Sequence, residues 1–180
     1  MCTIKYEIEF FSNWHCGSGL AAGADVDALV IKDSQGLPYV PGRTLKGLLR
    51  EAASTLSEDQ GVIDKIFGIS GDKDDHKTGA SFFRNATLPS AEYQYILEQG
   101  LAPHLFQSFA STKIDENGIA KDNSLRKTET VVPCKLEGEI LNVPEGAEQI
   151  LEDAMRFVKR IGTGRNRGFG RCRISIRKEA

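Results

Sequence analysis

Residues 162–171, which read Gly-Thr-Gly-Arg-Asn-Arg-Gly-Phe-Gly-Arg, combine small residues with strong hydrogen-bond donors. The segment contains four glycines (Gly162, Gly164, Gly168 and Gly170), three arginines (Arg165, Arg167 and Arg171) and no acidic residue. Glycine lets a backbone take positive φ or approach a ligand closely, and the planar guanidinium group of arginine suits phosphate oxygens. The combination favours binding of a polyanion such as RNA or DNA, and the alternative is a flexible turn with incidental charge.

Two common phosphate-binding loops do not fit this segment. A dinucleotide-binding loop needs Gly-x-Gly-x-x-Gly between a strand and the helix that follows, whereas this segment has another spacing and leads from a predicted helix into a predicted strand. The Walker sequence Gly-x-x-x-x-Gly-Lys-Ser/Thr does not occur in the chain. The sequence therefore favours contact with a nucleic-acid backbone over binding of a nucleotide cofactor.

The charge of the chain is unevenly distributed. The net charge is −2, but nine of the 23 Lys and Arg residues lie between Ala154 and Lys178, where there is no Asp or Glu. The rest of the chain carries 14 basic residues against 25 acidic ones. A basic patch on an otherwise acidic protein is typical of a defined groove for a polyanion, and the alternative is a solvated basic tail.

A second basic cluster lies in a helix predicted at about residues 44–56. Arg43, Lys46 and Arg50 are three and four residues apart, so they fall on one stripe of that helix. The first N–H groups of the helix would also favour an anion. We expect this stripe and residues 162–171 to lie side by side and to form one track for a nucleic acid.

The elements that would position these residues follow a β-α-β-β-α-β order. Alternating and helical spacings of apolar residues predict strands at about 3–11, 80–88, 132–140 and 170–178, long helices at 44–56 and 146–161, a short helix opened by a Ser57–Gln60 capping box, and another at 90–100. This order is that of an α+β, ferredoxin-like fold, with an antiparallel sheet and helices on one face. We treat residues 1–180 as one domain with a long, charged insertion at about 103–130.

Composition predicts a cytoplasmic globular protein. A chain of 180 residues with 40% hydrophobic content is ordinary for one domain. The cysteines form no Cys-x-x-Cys pair, so neither a zinc site nor a disulfide framework is predicted; they are Cys2, Cys16, Cys134 and Cys172. We expect no signal peptide, because the first residues alternate in polarity, and no apolar run is long enough to span a bilayer.

Four segments resemble sequences of the RAMP superfamily of CRISPR-associated proteins, and within it the backbone subunits of type III effector complexes. They are residues 14–19, 23–52, 81–88 and 161–174. They resemble, in turn, the glycine-rich first loop of that family, its Asp-containing run with the helix start that follows, a strand, and its C-terminal glycine-rich loop. The chain departs from the family pattern at Leu29, Arg43-Thr44, Arg84-Asn85 and Glu116.

The resemblance implies a subunit that stacks on copies of itself along a CRISPR RNA, together with other effector subunits. It implies an RRM-like domain in which Gly17 and Gly19 of the first loop, the helix and residues 162–171 hold RNA phosphates, and in which a thumb-like hairpin enters between guide and target RNA. It also implies that Asp27, rather than its neighbour Asp25, cleaves target RNA with Mg²⁺ or Mn²⁺. A carboxylate beside a phosphodiester can hold such an ion or accept the 2′-hydroxyl proton.

Three functions stay open at this point. Asp27 supports metal-dependent cleavage, or it only shapes its loop and the chain is a non-catalytic binding subunit. His15 would serve as acid or base if the chain resembled the branch of the superfamily that processes precursor RNA without metal, but a His beside apolar residues is more typical of a packed or RNA-stacking residue.

Two further groups of side chains invite a chemical role. Asp72, Asp74, Asp75 and His76 could hold an ion, although without EF-hand spacing a solvated loop is the more common case. Phe169 lies inside the segment 162–171 and is a candidate to contact a nucleotide, whereas Phe82, Phe83, Phe106 and Phe109 are expected in the core.

Overall fold

The computed structural model describes residues 1–21, 26–69 and 77–177. Its strands are β1 (Cys2–Phe10), β2 (Gly68–Ile69), β3 (Lys77–Thr78), β4 (Phe82–Phe83), β5 (Phe106–Ser111), β6 (Arg126–Val131), β7 (Lys135–Val143) and β8 (Cys172–Ile176). Its helices are α1 (Gly42–Leu56), α2 (Gln60–Phe67), α3 (Ser90–Glu98) and α4 (Glu148–Phe157), with 3₁₀ turns at Ala102–Leu105 and Arg165–Arg167. Among the described helices, none is long and apolar enough to cross a membrane.

The central sheet has four antiparallel strands in the order β4-β7-β1-β8. With α1 following β1 and α4 following β7, the long elements run β-α-β-β-α-β along the chain, and the predicted α+β, ferredoxin-like fold is confirmed. The segment from α2 to β3 is inserted between α1 and β4. The segment from α3 to β6 is inserted between β4 and β7.

The alternation of β1 separates the two faces of this sheet. Ile4, Tyr6 and Ile8 are buried in the core, together with Leu45 and Leu49 of α1. The intervening charged residues of β1 point to the opposite face, as period-two geometry requires. Burial of these large side chains on one face fixes the register of β1, because a slip of one residue would exchange the two faces.

Two predicted element boundaries are wrong for local reasons. Helix α2 is capped by Asp59, whose carboxylate accepts the Val62 N–H at 3.1 Å, while Ser57 ends α1, so no capping box forms at Ser57. Helix α4 ends at Phe157, before the predicted residue 161. The chain is extended from Val158, where ψ is 115°, and it pairs there with the segment leading into β8. The Ile161 N–H donates to the Gly170 carbonyl at 2.9 Å, whereas in a continued helix it would donate to the Phe157 carbonyl.

Strands β5 and β6 form a hairpin that stands apart from the central sheet and is called the thumb hairpin below (residues 106–131). Its base is attached to the loop after β1, because Trp14 and Val131 exchange two backbone hydrogen bonds of 3.0 and 2.8 Å. The predicted acidic cluster Asp72–His76, together with Asp25 and Lys178, lies outside the described residues.

Candidate nucleic-acid interface

The conformation of the segment 162–171, called the glycine loop below, depends on its four glycines. The φ angles of Gly162, Gly164, Gly168 and Gly170 are 94°, 70°, 90° and 69°. A Cβ at Gly170 would lie 1.9 Å from the Ile161 carbonyl oxygen, and one at Gly162 would lie 2.3 Å from the His15 carbonyl oxygen. These two glycines are therefore required by the packing of the protein itself.

The glycine loop is held by backbone hydrogen bonds to the loop after β1. Thr163 N–H donates to the His15 carbonyl at 2.9 Å, and Gly170 N–H donates to the Asn13 carbonyl at 2.8 Å. Between these two anchors the loop makes a 3₁₀ turn, Arg165–Arg167, whose side chains are exposed. Both ends of the loop are fixed, and the two arginines of the turn project from its tip.

The tip of the glycine loop and the thumb hairpin enclose a cleft. It consists of two cavities, of about 730 and 600 Å³, that share Ser111 and Arg167. Its lining includes five basic residues, which are Lys113, Lys121, Arg126, Arg165 and Arg167, and one acidic residue, Asp122. The cleft is therefore a concave surface with a concentrated positive charge, as expected of a polyanion site.

An aromatic pair joins the two walls of the cleft. Phe169 of the glycine loop and Phe109 of β5 meet edge to face, with ring centroids 4.9 Å apart. Phe109 is 50% exposed, so its placement in the core is wrong, as it is for Phe82, which is 59% exposed. The exposed ring that the cleft offers to a base is that of Phe109, while Phe169 is partly buried beneath it.

Part of the positive charge of the C-terminal segment is offset by glutamates next to it in the fold. Arg156 pairs with Glu152, Arg173 with Glu9 and Arg177 with Glu137, at 2.5, 2.6 and 2.5 Å. The guanidinium group of Arg171 lies 5.8 Å from the Phe11 ring and outside the cleft lining. Of the three arginines predicted to bind phosphate from the glycine loop, the structure places Arg165 and Arg167 together in the cleft.

The basic stripe of α1 lies on another flank than the glycine loop. Leu48, Glu51 and Thr55 of α1 line a groove together with Arg165. Arg43, Lys46 and Arg50 are rotated to roughly the opposite flank of the helix, and Arg50 lies 4.0 Å from Asp64 of α2. The expected single track along both basic regions is therefore wrong, because α1 itself separates them.

The N-terminus of α1 is also engaged with the protein. Gly42 N–H donates to the Asn85 side-chain oxygen at 2.9 Å, and a Cβ at Gly42 would lie 2.0 Å from the Phe83 carbonyl. The first N–H group of α1, which was predicted to face an anion, is therefore hydrogen-bonded to Asn85. Gly47, in the middle of α1, is exposed and has no atom within 4 Å of a Cβ built on it.

His15 is buried behind the glycine loop. Its side chain is 3% exposed, and its Nδ1 lies 2.6 Å from the Glu129 carbonyl oxygen. A base cannot stack on this ring in the observed conformation, so direct RNA binding by His15 is corrected to a packing role. Burial raises the pKa of the neighbouring Cys16 thiol to about 12, which leaves it un-ionised at neutral pH.

The two glycines predicted in the same loop differ from each other. Gly17 sits against the buried His15 ring, since a Cβ there would lie 3.1 Å from Nε2. Gly19 has φ 81° and no atom within 4 Å of a Cβ, so space is open beside it. Both glycines are exposed, but only Gly19 has open space on the side to which a Cβ would point.

Asp27 lies beside β6 of the thumb hairpin, and the residue is exposed. Its Oδ2 accepts the Lys127 N–H at 2.7 Å, and its own N–H donates to the Lys127 carbonyl at 2.9 Å. The carboxylate of nearby Glu129 is taken by the Lys32 ammonium and the Val30 N–H. Within residues 1–21, 26–69 and 77–177, no three His, Cys, Asp or Glu side chains form a cluster that could hold a metal.

The cationic lining of the thumb hairpin was not predicted residue by residue. Lys113, Lys121 and Arg126 line the cleft. The turn at the tip of the hairpin is held by Asp115, whose carboxylate accepts the Asn117 and Ile119 N–H groups at 2.9 Å. The signal in the sequence was the Asp-Glu-Asn-Gly turn between two charged runs. That pattern is typical of a hairpin, but it does not tell which side its cations face.

Comparison with known proteins identifies the family of this chain. The sequence profile of the RAMP superfamily matches residues 7–173. The chain belongs to the RAMP superfamily. This confirms the resemblance seen in the sequence. A comparison with curated protein sequences gave no match.

Solved structures agree on the fold of this RAMP protein. One is a cryo-EM structure of type III-B Cmr-beta bound to cognate target RNA: the similar chain has a TM-score of 0.76 and 11% identity, over 98% of this chain and 97% of the other. Another is the apo state of type III-B Cmr-beta, with a TM-score of 0.74 and 12% identity over 98% of both chains. At such identities the likeness establishes the fold.

Proposed function

We propose that this RAMP protein is a CRISPR RNA-binding backbone subunit of a type III effector complex. Its partners are then CRISPR RNA, target RNA and other effector subunits, including further copies of itself stacked along the RNA. Membership of the RAMP superfamily and the fold shared with Cmr-beta chains support this function. The observation that carries it is the cleft between glycine loop and thumb hairpin.

The cleft has the chemistry that single-stranded RNA requires. Arg165 and Arg167 supply planar donors for phosphate oxygens from a loop whose ends are fixed, so little backbone entropy is lost when they bind. Lys113 and Lys121 face them from the thumb hairpin. Phe109 adds a half-exposed ring on which a base of any sequence can stack.

Measurement of RNA affinity against salt concentration tests this proposal. The double variant Arg165→Gln/Arg167→Gln is compared with the wild type on a single-stranded guide RNA. We expect weaker binding and a log–log salt slope smaller by about 1.4, since each phosphate contact on a single strand contributes about 0.7. The control is Arg43→Gln/Lys46→Gln on the other flank of α1. A slope that changes only in the control would reject the cleft as the RNA site.

Cleavage of target RNA is the finer part of the proposal, and Asp27 is its candidate residue. With Oδ2 engaged by Lys127, Oδ1 is the oxygen that would hold Mg²⁺ or Mn²⁺. Such a donor set fits the ion only together with RNA, because Mg²⁺ is commonly held by one or two carboxylates plus phosphate oxygens and water. When bound, the ion would stabilise negative charge on a departing oxygen.

The same hydrogen bond supports the non-catalytic alternative, in which Asp27 only fastens the thumb hairpin. Asp27→Asn separates the two roles, since its amide oxygen can still accept the Lys127 N–H while the charge is lost. We expect Asp27→Asn to bind guide and target RNA normally but not to cut target RNA in Mg²⁺. Asp27→Ala should lose both cutting and part of the thumb's stability. Cutting by Asp27→Asn at the rate of a Glu98→Gln control would show that Asp27 is not the catalytic residue. Absence of cutting by both proteins would leave a purely structural subunit.

A further inference from the structure

A second concave surface lies beside the cleft, between α1 and α4. It is a groove of about 370 Å³ whose apolar part comes from Leu48 and Ala52 of α1 and from Phe157 and Val158 at the end of α4. Phe157 is 50% exposed, although it is a large aromatic residue at the end of an otherwise packed helix. The groove therefore offers a partly exposed aromatic ring to a ligand from solution.

The groove and the cleft are connected through the tip of the glycine loop. Arg165 and Asn166 line both of them, and Arg167 lies on the cleft side. A strand whose phosphates cross the tip at Arg165 consequently passes from one cavity to the other. Successive nucleotides of an extended strand are far enough apart for one to occupy each side of so short a turn.

The charge of the groove complements a nucleotide. Lys159, Arg160 and Arg165 stand along its rim, against the single carboxylate of Glu51. The guanidinium group of Arg160 donates to the Arg165 carbonyl, which ties the end of α4 to the glycine loop. Cations beside an exposed aromatic ring are the combination that binds a base by stacking and its phosphate by charge.

We propose that the groove between α1 and α4 is a nucleobase site, in which one base of the bound RNA stacks on Phe157 while its phosphate lies against Arg165. This inference rests on the proposed function, because it concerns the same RNA strand after it leaves the cleft. Glu51 and Asn166 at the rim would accept from and donate to the edge of the base.

Binding of two oligomers with equal charge tests this site. One is an oligouridylate of roughly 20 nucleotides, longer than a single binding site, and the other is the matching abasic ribose-phosphate oligomer. Phe157→Leu should bind the oligouridylate about tenfold more weakly than the wild type, as expected for the loss of one stacked base. On the abasic oligomer, variant and wild type should bind alike. Phe82→Leu, an exposed phenylalanine of β4, is the matched control and should behave as the wild type on both.

The outcomes separate this inference from the proposed function. If Phe157→Leu binds oligouridylate as well as the wild type while Arg165→Gln/Arg167→Gln binds it weakly, the groove is not a base site and the cleft stands. Equal losses on both oligomers would also overturn the base site, because they would reflect a change in folding or charge. If the arginine variant binds both oligomers as the wild type does, the proposed function itself fails.

Discussion

The cleft and the outer face of the central sheet are built from the same kinds of residues but differ in their net charge. On the sheet, four cations of the outer rows lie near a glutamate: Arg84–Glu139, Lys135–Glu7, Arg173–Glu9 and Arg177–Glu137, at 2.6, 3.2, 2.6 and 2.5 Å. In the cleft, five cations surround one aspartate. Positive and negative charges are therefore paired on the sheet face, whereas positive charge is in excess in the cleft.

This difference bears on how a ferredoxin-like fold binds RNA. RRM domains stack bases on aromatic residues of the sheet face. The corresponding face of β1 carries Lys5, Glu7 and Glu9. These side chains have no aromatic ring on which a base could stack, and the two carboxylates repel the phosphates of RNA. Only the topology of the RRM is shared, and RNA is expected at the glycine loop and thumb hairpin instead.

The largest expected effect comes from removal of the thumb cations. Lys113→Gln/Lys121→Gln/Arg126→Gln should weaken single-stranded RNA binding on the order of 100-fold at 0.1 M salt and reduce the log–log slope by about 2, if each residue contacts one phosphate. Fluorescence anisotropy at several salt concentrations measures both quantities. Arg84→Gln/Lys135→Gln/Arg173→Gln removes the same charge from the sheet face. A larger loss of affinity in this second variant would mean that RNA binds the sheet.

The next effect concerns stability of the glycine loop. Gly170→Ala should lower the free energy of unfolding by about 3 kcal/mol or more, because a Cβ would meet the Ile161 carbonyl at 1.9 Å and φ is 69°. Urea denaturation measures it. Gly47→Ala, in open space on α1, should instead raise the free energy of unfolding by up to about 1 kcal/mol. A neutral Gly170→Ala would show that the loop is not tied to Ile161.

The smallest effect is expected on the sheet face. Arg177→Gln breaks the ion pair with Glu137, but the arginine side chain is 51% exposed, so the free energy of unfolding should change by less than about 1 kcal/mol. RNA affinity should stay within error of the wild type. Thermal melts and anisotropy on the same preparation check both. A clear loss of RNA affinity would extend the binding surface from the cleft onto the sheet.

Much of the fold could be predicted because it depends on local patterns. The alternation of Ile4, Tyr6 and Ile8 identifies a half-buried strand, and the spacing of Leu45 and Leu49 identifies α1. The end of α4 could not be predicted in this way. Its last residues are drawn into extended pairing with the chain leading into β8, a contact between segments that periodicity within one segment does not record.

The candidate site was predictable in its chemistry but not in its geometry. Arg165 and Arg167 were identified from type and spacing, and both lie in the cleft. The stripe with Lys46 was expected beside the glycine loop but lies on the opposite flank of α1, because periodicity gives the positions on a helix but not the neighbour that each flank faces. Pairing of Arg173 with Glu9 depends on the register of β8 on β1, which is a property of the folded sheet.

Lysine-reactivity footprinting with and without RNA tests the central claim most directly, since every surface discussed carries a lysine. RNA bound in the cleft should protect Lys113 and Lys121 from amine acetylation. The reactivity of Lys46 on α1 and of Lys135 on the sheet should be the same with and without RNA. Protection of Lys46 or Lys135 with Lys113 and Lys121 still reactive would contradict the assignment of the cleft as the RNA-binding surface.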